Sequence, residues 1–112
     1  MKIAISATDK NIESNISDVF GRSPYFVIAE IENGEIKKTE IIENEATRQM
    51  GGAGISAAQL IAEKDVKAVI TGNLGPRALD VLSQFNIEIY YGEGTIEKVL
   101  QEFIKGNLKK IN

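Results

Sequence analysis

The 112 residues allow one hydrophobic core and no more, and 43% apolar against 26% charged residues is the composition of a folded domain rather than a disordered chain. With neither cysteine nor histidine, the side chains supply no disulfide, no zinc site and no thiolate cage for an iron–sulfur cluster. A net charge of −3 argues against a general nucleic-acid binder, which needs a basic face for phosphates.

Met1 leads straight into a strand-like segment, with no basic-then-apolar leader and no apolar run of membrane-spanning length, so a cytoplasmic protein without a membrane partner is expected. Lys2 to Ala7 reads as a buried strand, and the polar stretch from Thr8 to Ser17 as a loop. Tyr25 to Ile31 and Glu35 to Ile42 are β-prone runs joined at Asn33-Gly34, a strong hairpin signal, so they pair antiparallel. Glu43 to Gly52 is a polar loop. From Gly54 the period changes, and Ile55, Ala58, Ile61 and Ala62 share one helical face.

Lys67 to Thr71 is apolar enough to be a strand covered on both sides. Gly72-Asn-Leu-Gly75 then turns the chain into a helix that opens on Pro76 and carries Ala78, Leu79, Leu82 and Phe85 as its core stripe. Ile87 to Tyr91 is a fifth strand. Thr95 caps a third helix marked by Ile96, Val99, Leu100, Phe103 and Ile104, with Gly106-Asn107 to end it.

The order predicts an α/β domain spanning residues 1–112, with a mixed five-stranded sheet in the order 3-2-1-4-5, its second strand antiparallel, and three helices on the faces. In that topology the loops after strands one, three, four and five share one edge with the loop entering strand two. Ligands of open α/β sheets sit at that carboxyl edge.

Three glycine-rich turns arrive there: Gly51-Gly52-Ala53-Gly54, Gly72-Asn73-Leu74-Gly75 and Gly92-Glu93-Gly94. Each precedes a helix whose first N–H groups have no partner within the helix, an arrangement that suits an anion. The simpler reading is that glycine only makes the turn tight. All three arginines, Arg22, Arg48 and Arg77, fall in loops at the same edge, whereas the ten lysines are scattered. Guanidinium groups suit multidentate anion recognition, so these residues and turns form the candidate ligand set, with Met50 as a soft sulfur donor for a metal. The alternatives are local turn partners for the arginines and loop packing for Met50.

Catalysis finds less support. No serine or threonine has a histidine base, and Asp9, Asp18, Asp65 and Asp80 do not fall on adjacent strands as a two-metal nuclease requires. Gly52 to Ala57 matches a loose dinucleotide fingerprint but follows a long polar loop rather than a strand. A binding protein is expected rather than an enzyme.

Several motifs in order carry a family resemblance: Phe20-Gly-Arg-Ser-Pro-Tyr-Phe26, Ile42-Glu-Asn44, Gly51-Gly-Ala-Gly-Ile55 with Ala58-Gln59, Val69-Ile70 leading to Gly72 and Gly75-Pro76, Ile89-Tyr90 and Gly106-Asn-Leu108. Over essentially its whole length the chain resembles the dinitrogenase iron-molybdenum cofactor biosynthesis domain. The resemblance implies a ribonuclease H-like fold, an iron–molybdenum or iron–sulfur cluster or precursor as ligand, and cofactor-assembly proteins as partners. The chain departs from metal-handling members in lacking the histidine or cysteine that several carry near the glycine-rich loop. Three functions therefore fit the sequence: a carrier of an anionic metal–sulfur cluster, a binder of a small anionic metabolite, and an interaction module.

Overall fold

The run of small and branched residues at Lys2–Ala7 forms β1, and every residue after Lys2 is buried. A strand apolar on both sides has to be covered on both faces, and the computed structural model, which describes residues 1–112, shows how. Ala4 belongs to a core shared with α1 (Ala53–Ala62) and α2 (Pro76–Gln84), through Ala57, Ile61, Ala78 and Leu82. Ile3 and Ile5 belong to the opposite core, shared with α3 (Ile96–Ile104) through Ile96, Val99 and Leu100.

β2 (Tyr25–Glu32) and β3 (Glu35–Glu43) form the expected hairpin. Asn33 and Gly34 both have positive φ, at 52° and 76°, as the favoured two-residue turn requires. β1 pairs antiparallel with β2 and parallel with β4 (Ala68–Thr71), which pairs parallel with β5 (Glu88–Tyr91). Ile3, Ile5, Val69 and Ile70 are thus wholly buried on adjacent central strands, as their apolar runs predict. Removing water from both faces of these strands is the largest favourable contribution to folding here.

The sheet has six strands in the order β3-β2-β1-β4-β5-β6, one more than expected. The sixth, Lys109–Lys110, pairs antiparallel with Tyr90 and Tyr91. Two exposed lysines carry no alternating pattern, so the strand is invisible to periodicity. Tertiary hydrogen bonds hold the segment instead: Ile111 N–H donates to the Ile89 carbonyl at 2.7 Å, and Ile89 N–H donates to Asn112 Oδ1 at 2.8 Å. Phe20–Arg22 and Glu45–Arg48, both within stretches without a periodic signal, form 3-10 turns. No helix is long and apolar enough to cross a membrane.

Candidate functional site

The C-terminal ends of β1, β3, β4 and β5 and the start of β2 lie at one edge of the sheet, as their registers require. Two of the three glycine-rich turns meet there. α1 begins after Gly52, at φ 73°, and its first helical bond runs from Ser56 N–H to the Gly52 carbonyl at 3.1 Å. α2 begins after Gly75 with Pro76 in its first turn, and its first bond runs from Leu79 N–H to the Gly75 carbonyl at 3.1 Å. The N–H groups of Ala53, Gly54 and Ile55, and those of Arg77 and Ala78, precede these bonds and have no helical acceptor.

Both helix starts border one open cavity of about 290 Å³, lined by Gly21, residues 52–55 and residues 75–78. The close approach of chain segments around it depends on missing side chains. A Cβ on Gly21 would lie 2.8 Å from both the Cα and the N of Gly54, so the 20–22 turn docks backbone-to-backbone on the first turn of α1. The positive ends of two helix dipoles therefore reach the same space.

The third turn is different. Ile96 N–H donates to the Ser14 carbonyl at 2.9 Å, Glu97 N–H to the Ile12 carbonyl at 2.9 Å, and Lys98 N–H to Thr95 Oγ1 at 3.2 Å. The chain itself occupies the start of α3. Gly92 packs against Ile70 and Ile16, and the Gly94 carbonyl accepts from Ile16 N–H at 2.8 Å. Gly72 and Asn73 are likewise used internally: the Asp18 carbonyl passes where a Gly72 side chain would stand, and it accepts from Asn73 N–H at 2.6 Å. Gly51 meets no neighbour and belongs to the open loop before Gly52.

The arginines separate in the same way. Arg22 donates to the carbonyls of Thr47 at 3.2 Å, Gln49 at 2.7 Å and Met50 at 3.5 Å, clamping the loop that leads to Gly52. Arg48 pairs with Glu43 at 3.5 Å, both side chains largely exposed, and borders a separate groove of about 640 Å³ that also contains Glu45 and Lys64. Arg77 lines the glycine cavity, is exposed, and makes no ion pair or side-chain hydrogen bond. Met50 is fully exposed on the loop before Gly51. The backbone donors of Ala53, Ile55 and Ala78, together with Gly21, complete the cavity. Residue type alone does not mark a backbone donor, although Gly21 sits inside the Phe20-Gly-Arg motif.

No three histidine, cysteine, aspartate or glutamate side chains gather where they could hold a metal ion. The donors at the cavity are N–H groups and a guanidinium, which suit the sulfides, oxides or carboxylates of an anion. They do not suit a metal ligated through thiolate or imidazole. The one shifted ionisation, that of the Tyr90 phenol, lies away from this cavity: burial first, then its 2.9 Å hydrogen bond to Glu88 and the charge of that carboxylate, raise it above its ordinary value.

The family model for the dinitrogenase iron-molybdenum cofactor matches residues 1–106. The chain belongs to this family. It is 45% identical over 112 residues to the uncharacterized protein MJ0580 of Methanocaldococcus jannaschii, covering 98% of this chain and 91% of that one. Among solved structures, PH0822 is 35% identical with a TM-score of 0.84, over 99% of this chain and 96% of that one. The apo form of the orange protein from Desulfovibrio gigas is 27% identical with a TM-score of 0.91, over 98% and 92%. A Thermotoga protein described as a putative NifB protein is 28% identical with a TM-score of 0.81, over 97% and 91%.

Proposed function

We propose that this family member carries an anionic iron–sulfur or iron–molybdenum cluster, or a precursor of one, by hydrogen bonds at the cavity between the starts of α1 and α2. The observation that carries this reading is the meeting of two uncapped helix starts, with the unpaired Arg77 beside them, in one cavity. The N–H groups of residues 53–55 and 77–78 contact the anion, and Arg77 neutralises part of its charge. Arg22 acts indirectly, by fixing the carbonyls of residues 47–50 and hence the approach to Gly52. Arg48 and Met50 stand at the rim. Gly72, Asn73, Gly92 and Gly94 shape the fold around the site rather than touching the ligand.

In this reading the 112 residues act as one ribonuclease H-like domain in the cytoplasm, receiving and passing on cargo among cofactor-assembly proteins. Without thiolate or imidazole ligands the protein holds its cargo loosely enough to hand it over. Anaerobic titration with a synthetic iron–sulfur cluster, followed by visible absorbance, tests the proposal. Wild type binds, and Arg77→Ala binds about tenfold or more weakly, the scale of one charge-assisted hydrogen bond, with an unchanged thermal midpoint. Equal binding by both proteins would remove Arg77 from the site.

A second reading, a small oxyanion metabolite in the same cavity, is favoured by the absence of soft ligands. It predicts that inorganic phosphate or a dicarboxylate binds while the cluster does not.

A further inference from the structure

β3 ends the sheet, with no strand on its outer side, and seven of its nine residues are exposed. Asn44 N–H donates to the Pro24 carbonyl at 3.0 Å. Because peptide groups alternate in an antiparallel ladder, Lys38, Glu40 and Ile42 turn theirs towards β2. Thr39, Ile41 and Glu43 turn theirs outward. A row of unpaired donors and acceptors of this length is a template for another strand.

The charges on β3 indicate which strand. Lys2 lies opposite Glu30, and Glu30 opposite Lys38, so positive, negative and positive side chains alternate across β1, β2 and β3. Glu40 shares a shallow depression with them. We infer that β3 pairs antiparallel with β3 of a second copy of this chain, about a two-fold axis through Thr39. In that register Lys38 faces Glu40 of the second copy, and Glu40 faces its Lys38, extending the alternating row by one charge across each side of the dyad.

Thr39 is the midpoint of Glu35–Glu43, so the two strands overlap along their full length. The acids that would then oppose each other at the ends already have cations of their own: Glu35 is 2.9 Å from Lys37, and Glu43 is 3.5 Å from Arg48. Ile41, which is 40% exposed, comes to lie beside the aliphatic stem of Lys37 of the second copy. Centring the pair one residue earlier sets Lys38 against Lys38, and one residue later sets Glu40 against Glu40. The charges therefore repel the neighbouring registers and favour this one. A register shift in the β2–β3 ladder between Glu30 and Ile31 leaves Lys37 unpaired, so residues 38–40 form the regular centre of the contact and its ends are looser.

Sedimentation equilibrium of the full chain in low salt, from about 10 μM to about 1 mM, tests the inference. The wild type moves towards twice the monomer mass as concentration rises. Lys38→Glu and Glu40→Lys each stay monomeric over that range, while their equimolar mixture dimerises, because each then meets the opposite charge. Glu40→Lys faces Ile28 within its own chain, so it carries the test alone if Lys38→Glu, set beside Glu30, fails to fold. A wild type that stays monomeric throughout overturns the inference. So does a Glu40→Lys variant that dimerises as the wild type does, since the contact then lies elsewhere.

Discussion

The starts of α1 and α2 on one side and of α3 on the other are built from similar sequence, a glycine-containing turn entering each helix, yet they end in opposite states. At α3 the backbone donors are taken by the 12–14 loop and by Thr95, which caps the helix. At α1 and α2 the residue before the helix is glycine, with no side chain to cap it, and although the 20–22 turn packs against Gly54, no carbonyl or side chain accepts from the first N–H groups. A glycine-rich turn thus keeps backbone donors available to an anion only where the rest of the chain leaves them free. That depends on loops distant in sequence.

The largest expected effects separate the two helix groups through the core. Leu82→Ala and Leu100→Ala should each cost roughly 2–5 kcal/mol of stability, because both side chains are fully buried and leave cavities. Chemical denaturation measures the loss. Only the Leu82 change, which loosens α2, should also weaken anion binding in the folded protein. Equal weakening by both would erase the distinction between the two sides.

Gly21→Ala comes next. Its new methyl meets Gly54 backbone at 2.8 Å, so the 20–22 turn or α1 must move, at about 1–3 kcal/mol in the same unfolding measurement. Unlike the Leu100 change it should also reduce cluster affinity, because the displaced atoms border the cavity. Thr95→Ala sharpens the comparison from the closed side. Loss of the cap should cost about 1 kcal/mol in thermal or denaturant unfolding, with no change in anion affinity.

Smallest is the effect of Tyr90, which lies on the α3 side of the sheet with Phe103 edge-on at 5.2 Å. Its phenol has a raised value in the folded state, so above the ordinary value near 10.0 the unfolded chain has lost the proton while the folded one keeps it. Stability from this source is complete below that pH and declines as pH rises through the folded value. Tyr90→Phe should make the alkaline decline of the unfolding midpoint shallower. Anion binding at neutral pH should not change.

How much of this could be read from residues follows the same division. The buried strands Lys2–Ala7 and Ala68–Thr71 and the Asn33-Gly34 hairpin were legible because local pattern and burial agree there. The sixth strand was not, since two lysines paired through tertiary hydrogen bonds leave no period. Sequence set the three arginines in loops; the structure gives Arg22 and Arg48 to 3-10 turns and Arg77 to the first turn of α2, and their partners were not legible from residue type. Arg22 meets the carbonyls of residues 47–50 only after that segment has folded into a 3-10 turn. Gly92 and Gly72 likewise resemble Gly52 and Gly75 until the side chain or carbonyl packed against each is seen. What sets the starts of α1 and α2 apart is unused backbone hydrogen-bonding capacity, which no residue letter records.

The most direct measurement is amide NMR of the labelled protein during anaerobic addition of a synthetic iron–sulfur cluster, whose unpaired electrons broaden nearby signals. The amides of Ala53, Gly54, Ile55, Arg77 and Ala78 should broaden first, while those of Ile96, Glu97 and Lys98, already bonded within the chain, stay sharp. Broadening at residues 96–98 instead, or uniform loss of signal over the whole chain, would contradict the assignment of the anion site to the two open helix starts.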